Sequence, residues 1–369
     1  MKPPAEFGDG ILSKLNKSMY GLNDASREWY LKVTESMEEM NSHRSNIYPA
    51  IFYWKQAGLL VAMCSCHDND FTLTGKTEKL NEITEGIKLK FQVSSESASI
   101  FKYLGLEIHQ RDNCITVAQQ KYIHEINPMK VPDRSSDSML TNDEKRELRS
   151  LAGQLNWVST QSRPDIAFGA CEVNTSMANG KVKDIIHANK VVKQLQSDDV
   201  VMSLNDIGGM DELICYTDAS YATLPGGASQ GAYIMFLKGV NGRYSHIAWK
   251  SNKIQRTVKS SLAAESLALQ EGADHSFVIV AFIKETTGID LKLIIRTDSN
   301  SLQRNLHTTN KLTEKRLNMD LMIIREMLEK KEIHEVEWVP TDAQLADCLT
   351  KKGATKKKLL QALNGQWGM

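Results

Sequence analysis

The 369-residue sequence carries no net charge, because 45 basic residues offset 45 acidic ones. Bulk charge therefore singles out no partner, and any affinity for nucleic acid must come from charge segregated along the chain. No apolar run approaches the roughly 18 residues of a membrane-spanning helix, so no membrane partner is expected. The most apolar stretch, "SFVIVAFI" at 276–283, reads as the buried part of a helix. The first ten residues, "MKPPAEFGDG", lack the apolar core of a secretory signal. Cysteine is scarce: there are six, and only Cys64 and Cys66 are close together. That spacing excludes a zinc site and a dense disulfide framework, and it points to a reducing, intracellular setting, either cytoplasm or nucleus. Internal repeats and low-complexity tracts are absent as well.

What is present suits a globular protein of two or more domains, with 41% hydrophobic and 24% charged residues. Helical spacing of Trp29, Val33 and Met37 predicts a helix over 26–40, and an amphipathic pattern predicts another over 76–91. Residues 58–65 read as a strand, and 101–119 as a hairpin turning at 111–113. A polar loop at 131–145 precedes two helices, 144–161 and 185–197. The segment 197–212 has linker composition and room for one short strand, so the domain boundary is placed there. A meander of three strands follows (212–218, 231–238 and 243–250), turning at "GVNG". Then come a long helix from about Ser260 to Thr287, a strand at 291–299, a short helix, a helix at 313–331, a strand at 333–340 and a final helix at 342–352. This order implies one mixed sheet with helices on its faces.

Four carboxylates stand out in that order. Asp218 ends the first strand of the meander, and Asp298 ends the fourth strand. A right-handed crossover would make those strands parallel neighbours and bring both aspartates to one carboxyl edge. Glu265 lies beside the leucine stripe of its helix, and Asp347 sits among Ala343, Leu345 and Leu349. Singly, each reads as a turn residue, a helix cap or a solvated helix position. Together they would repel one another unless divalent cations intervened. Magnesium, with its preference for oxygen ligands, suits such a set, and two ions can hold the attacking water and the leaving oxygen of a phosphodiester.

The blocks "YTDASYA", "HIAWKSNKIQRTVKSSLAAESLAL", "IIRTDSNSL" and "WVPTDAQLADCLTKK" resemble, in order, the ribonuclease H domain of copia-type LTR retrotransposon polyproteins. Upstream, "KLNKSMYGLNDASREWY" (14–30), "FKYLGLEI" (101–108) and "LRSLAGQLNWVSTQSRPDIAF" (148–168) resemble the reverse transcriptase and connection regions of the same polyproteins. The resemblance implies an α/β, ribonuclease H-like mixed sheet flanked by helices at 206–369. It further implies a truncated reverse transcriptase palm-like region at 1–130 and a helical thumb or connection region at 131–205. It assigns metal-dependent hydrolysis of RNA in RNA–DNA hybrids to Asp218, Glu265, Asp298 and Asp347. Two Mg2+ ions are implied, with Mn2+ as a substitute; Asp218 would bridge them and Asp347 would complete the ion holding the nucleophilic water. Where many ribonucleases H carry a histidine before the last aspartate, this sequence has Thr341 and Asp342, so no histidine proton shuttle is expected.

The polymerase motif departs from the family. "HDNDFTLTG" at 67–75 puts Asn69 and Asp70 where two aspartates are expected, with Asp68 preceding them. Asn69 lacks the charge for strong metal binding. The family's other catalytic aspartate lies upstream of where this chain begins, so DNA synthesis by this chain alone is not expected. A shortened palm sheet would leave an open edge, inviting a second copy or another retroelement protein. No acidic residue separates Asp218 from Glu265, whereas Lys238, Arg243, Lys250, Lys253, Arg256 and Lys259 fall between them. Lys250, Lys253, Arg256 and Lys259 are expected to meet backbone phosphates, and Ser260 and Ser261 to reach 2′-hydroxyls. Two other readings stand beside the hydrolase: a catalytically silent relic or nucleic-acid-binding module, and a piece of a working polymerase polyprotein.

Overall fold

A computed structural model describes residues 18–19, 21–94, 99–308 and 314–366. Residues 14–17 and Tyr20 of the first family-like stretch, Thr313 of the expected helix, and Trp367 lie outside them. The chain forms two compact units: Met1–Ser97 with Lys284–Gly288, and Ala98–Ile283 with Ile289–Met369.

The first unit holds α1 (Ala25–Glu39), β1 (His43–Arg44), β2 (Ile51–Gln56), β3 (Leu59–His67), β4 (Asp70–Gly75) and α2 (Thr77–Lys90). Its strands form an antiparallel sheet in chain order. Phe52 and Trp54, alternate residues of β2, pack with Val33 and Met37 of α1 and with Ile83 and Ile87 of α2. The two helical pairs are each spaced by four, which places both members on one face.

The second unit opens with β5 (Ile100–Tyr103), β6 (Leu106–Arg111), β7 (Cys114–Ala118) and α3 (Gln120–Glu125). Here the expected single hairpin is a three-strand meander. Leu104 and Gly105 both have positive φ (49° and 76°), the backbone of a tight two-residue hairpin turn. Leucine at such a position gives no turn signal in the sequence. Helices α4 (Asn142–Gln161), α5 (Ala167–Ser176) and α6 (Val182–Ser197) follow, and β8 (Met202–Asn205) within 197–212 pairs with β7. Neither α3 nor α5 is expected from the sequence; α5 shows little amphipathic periodicity, with apolar residues spread around it.

The large sheet has β9 (Met210–Leu224), β10 (Ala228–Gly239), β11 (Tyr244–Lys253), β12 (Lys292–Thr297) and β13 (Glu335–Trp338). Their spatial order is β11-β10-β9-β12-β13, antiparallel through the meander and parallel from β9 onward. This is the expected ribonuclease H-like mixed sheet. Helices α7 (Ser261–Thr287), α8 (Asn300–Leu306) and α9 (Lys315–Glu329) connect β11 to β12 and β12 to β13. Alternation divides the core. Leu213, Cys215, Leu293 and Ile295 pack with α7 and α9, while Ile214, Tyr216 and Ile294 pack with Val117, Met202 and the C-terminal segment.

Two expectations fail at the ends of elements. Asp218 does not end its strand, because β9 runs on to Leu224 and Asp218 pairs with Ala232 of β10. Small Ala219 and Ser220 let the hairpin continue, while the parallel pairing with β12 stops at Tyr216 and Arg296. The final helix at 342–352 is instead two 3₁₀ turns, Thr341–Ala343 and Asp347–Leu349. The lysine-rich tail forms a further helix, α10 (Lys357–Leu363), which buries Leu359, Ala362 and Leu363.

A buried ion pair joins the helices. Arg163, between α4 and α5, makes a two-pronged contact with Asp165 (2.8 and 2.9 Å) and donates to the carbonyls of Leu195 and Asp198 at the end of α6. Both side chains are fully buried. Removing one partner strands the other charge in a dry interior. Arg163→Met is therefore expected to cost about 3–5 kcal/mol of unfolding free energy, measured by urea denaturation; a loss below about 1 kcal/mol would show that the pair does not hold these helices.

Candidate active site

The parallel register sets the site. Tyr216 is paired with Arg296, so Asp218 and Asp298 stand two residues beyond the same rung. Asp298 does not cap the following helix; Ser299 does, its hydroxyl accepting from the Leu302 amide at 3.3 Å. The Asp298 carbonyl accepts from the indole of Trp338 at 3.0 Å, which fixes the edge of the sheet there.

Glu265 arrives from α7. The helix lies against β9 at Gly272, where an added Cβ would fall 2.7 Å from Thr217 Cγ2 and 3.0 Å from Cys215 Sγ. Glu265 is seven residues earlier, on the same helical face, so the glycine contact carries the glutamate toward the strand. Its carboxylate accepts from the Ala219 amide. Asp218, Glu265 and Asp298 each present an oxygen within 4.8 Å of the other two, the only such metal-ligating group among the described residues. Asp218 and Glu265 are buried, and Asp298 is partly exposed.

Asp347 joins through a side chain that the sequence reading did not single out. Lys351 Nζ lies 3.3 Å from Asp218 Oδ1 and pairs closely with Asp347 Oδ1. The Thr350 hydroxyl donates to Asp218 Oδ2. The segment carrying them is lashed to the sheet: Gln344 Nε2 donates to the Thr217 carbonyl (3.0 Å), Ser220 Oγ to the Thr350 carbonyl (2.8 Å), and Ser251 Oγ to the Leu349 carbonyl (2.5 Å). The available signal was the spacing of Asp347, Thr350 and Lys351 at i, i+3 and i+4, one turn of chain.

Burial pushes the Asp218 carboxyl up to about 6; Lys351 and Thr350 pull against it, and Asp298 and Asp347 add to it. Burial, reinforced by Asp218 and Asp298, holds Glu265 well above the ordinary glutamate range. Burial of Lys351 opposes its charge, but Asp218 and Asp347 outweigh burial and raise its pKa. Glu265 Oε2 is buried without a hydrogen-bond partner among the described residues. An orphaned carboxylate oxygen beside two further carboxylates is a donor set that fits a hard divalent cation such as magnesium.

The basic stretch is less free than its sequence suggests. Lys250 pairs with Glu271 (2.6 Å), Arg256 with Asp320 of α9, and Lys238 with Glu212 (2.8 Å). Lys253 and Lys259 are exposed, and neither has an ion-pair partner among the described residues. Ser260 Oγ caps α7 by accepting from the Ala263 amide at 3.2 Å, and Ser261 is exposed. In the first unit Asp68 and Asn69 form the exposed turn from β3 to β4, which Asp70 opens, with Asp68 at φ 50° and its carbonyl accepting from Trp29.

The raised carboxyl pKa values have a stability consequence. A group titrating higher in the fold than in the unfolded chain contributes stability below its unfolded value, here 3.8 for Asp218, and loses it as pH rises through the folded value. In the presence of a chelator, Glu265→Gln is expected to be more stable than the parent, with a larger gain at pH 8 than at pH 5. Thermal melts at both pH values check this; an equal or reversed difference would remove the repulsive cluster.

Residues 1–132 match the family model of the reverse transcriptase (RNA-dependent DNA polymerase). Over 92% of its length the chain is 23% identical to the retrovirus-related Pol polyprotein from transposon TNT 1-94 of Nicotiana tabacum. Over 95% it is 22% identical to that from transposon RE1 of Arabidopsis thaliana. It spans about a quarter of each, 27% and 25%. Among solved structures, the foamy viral protease-reverse transcriptase in complex with RNA/DNA hybrid superposes with a TM-score of 0.51 at 11% identity, covering 91% of this chain and 40% of that one. With the carboxylates in the expected order on a ribonuclease H-like sheet, the chain is thus similar over most of its length to the retrovirus-related Pol polyproteins of copia-type transposons.

Proposed function

We propose that the second unit hydrolyses the RNA strand of RNA–DNA hybrids with divalent metal, magnesium for preference and manganese as a substitute. The observation that carries this reading is the convergence of Asp218, Glu265 and Asp298 from three separate elements, with a buried Glu265 oxygen lacking any partner among the described residues. Bound metal would supply Lewis acidity to the phosphate and an activated water. The protein's own part is to hold acceptor-only oxygens in fixed positions. Asp218 is immobilised by Thr350, Glu265 by the Ala219 amide, and Asp298 by the rung it follows. Asp347, partly exposed and paired to Lys351, would extend the set to a second ion. Lys253 and Lys259, at the entry to the Glu265 helix, are the cations available for backbone phosphates, and Thr257 and Ser261 are exposed hydroxyls on either side of Lys259. Lys250 and Arg256 would have to exchange a carboxylate for a phosphate.

From the first unit alone we expect no DNA synthesis, because Asn69, exposed in a turn, lacks the charge for strong metal binding, and neither Asp68 nor Asp70 joins a metal-ligating group among the described residues. With a labelled RNA–DNA hybrid and magnesium, cleavage of the RNA strand is expected, and Asp218→Asn should lower its rate on the order of a thousandfold while retaining hybrid binding. Binding without cleavage by the parent protein would make it a silent nucleic-acid-binding module. Primer extension on an RNA template, run in parallel, is expected to give no product; extension would restore the polymerase reading.

A further inference from the structure

The second cation position of the proposed site is filled by a side chain. Lys351 Nζ stands between Asp218 Oδ1, at 3.3 Å, and Asp347 Oδ1. These are the two carboxylates that a second metal ion would share. We infer that Lys351 is a resident cation, and that a second divalent ion enters between Asp218 and Asp347 only by displacing its ammonium group. The inference rests on the hydrolase reading above and adds an order of events to it.

Three observations support a displaceable occupant over a fixed structural pair. Lys351 is 38% exposed, whereas Asp218 is fully buried and Asp347 is 17% exposed, so the ammonium enters from the solvent side of the cluster. Its long stem can swing outward without moving the backbone, which is held independently: the Lys351 amide donates to the Asp347 carbonyl at 3.0 Å, and the buried Thr350 carbonyl accepts from Ser220. Asp218 keeps its Thr350 hydrogen bond whether or not the lysine stays. The remaining site, formed by Asp218, Glu265 and Asp298, shares only Asp218 with Lys351; none of the hydrogen bonds or ion pairs described for Glu265 and the Asp298 carboxylate comes from a cation, so two of its three ligands are open to a first ion.

Charge explains why such an occupant would be useful. Once metal ionises the cluster, four carboxylates at one edge carry four negative charges, and a single ammonium offsets one of them. A first divalent ion leaves the cluster nearly balanced, so a second has little electrostatic reason to evict the lysine. An incoming phosphodiester changes that balance. It brings negative charge and offers the ammonium a new partner, so displacement and substrate arrival are coupled.

The test uses the full chain without nucleic acid, titrated calorimetrically with Mg2+ and, separately, with Mn2+ counted by electron paramagnetic resonance. The parent is expected to bind one ion in the accessible range. Lys351→Met is expected to gain a second site, tightened at least roughly tenfold, and Lys351→Arg to behave as the parent. Should Lys351→Met fold poorly, as judged by circular dichroism, reductive 13C-methylation of the parent gives an independent readout. The Lys351 resonance should stay unmoved through the first binding event and shift on adding metal together with an uncleavable hybrid. Identical isotherms for parent and Lys351→Met, or a resonance insensitive to both additions, would overturn the inference while leaving hybrid cleavage intact. Absence of any metal binding in the parent would overturn it together with the hydrolase reading.

Discussion

The second unit is organised around the placement of negative charge where water cannot reach it. Asp218 has no exposed surface, and it sits in the middle of a strand with backbone pairing to Ala232. A lone carboxylate there would be costly, so its surroundings must compensate. They do so in two ways. Thr350 and Lys351 supply a hydroxyl and an ammonium from the C-terminal segment, while α7 and the end of β12 add two further carboxylates that sharpen the need for a cation. Much of the local architecture follows from this. The 341–351 segment is drawn onto the sheet by Gln344, Ser220 and Ser251, each satisfying a carbonyl close to the cluster.

The same constraint accounts for what was legible beforehand. Asp218, Glu265 and Asp298 could be located because each lies against a strong periodic signal: a buried strand, an apolar helical stripe, and a strand followed by a serine cap. Parallel register then brings the two aspartates level without any contact having to be foreseen. Helical spacing of Leu345 and Leu349 predicts a helix over 342–352, which the segment does not form. Its real conformation is set by side-chain hydrogen bonds to distant strands, a tertiary effect that local propensity does not contain. Lys351 was hidden for the same reason, appearing as one lysine in a lysine-rich tail.

The basic stretch between Asp218 and Glu265 teaches a related lesson. In the sequence it is uniformly cationic, and its neighbours in chain order offer no neutralising acid. In the fold, Glu212, Glu271 and Asp320 come from β9, α7 and α9 to meet Lys238, Lys250 and Arg256. Charge segregation along a chain is thus a weaker statement than segregation in space: Arg243, Lys253 and Lys259 are exposed without an ion-pair partner among the described residues, and the other three cations of the stretch are paired.

The two units differ in how much chemistry their folds still support. In the first, the β3–β4 turn carries Asp68, Asn69 and Asp70 on an exposed hairpin, and an antiparallel sheet with a small apolar core persists beneath it. That core contains none of the turn side chains, so a change of residue at position 69 would leave the packing untouched. In the second unit the carboxylates are buried or half-buried among the elements that position them, and Thr350, Lys351 and the Ala219 amide are committed to them. A site on an exposed turn can lose its charge without structural penalty. One woven into the interior is coupled to the fold, because removing any member alters the electrostatic balance that holds the others.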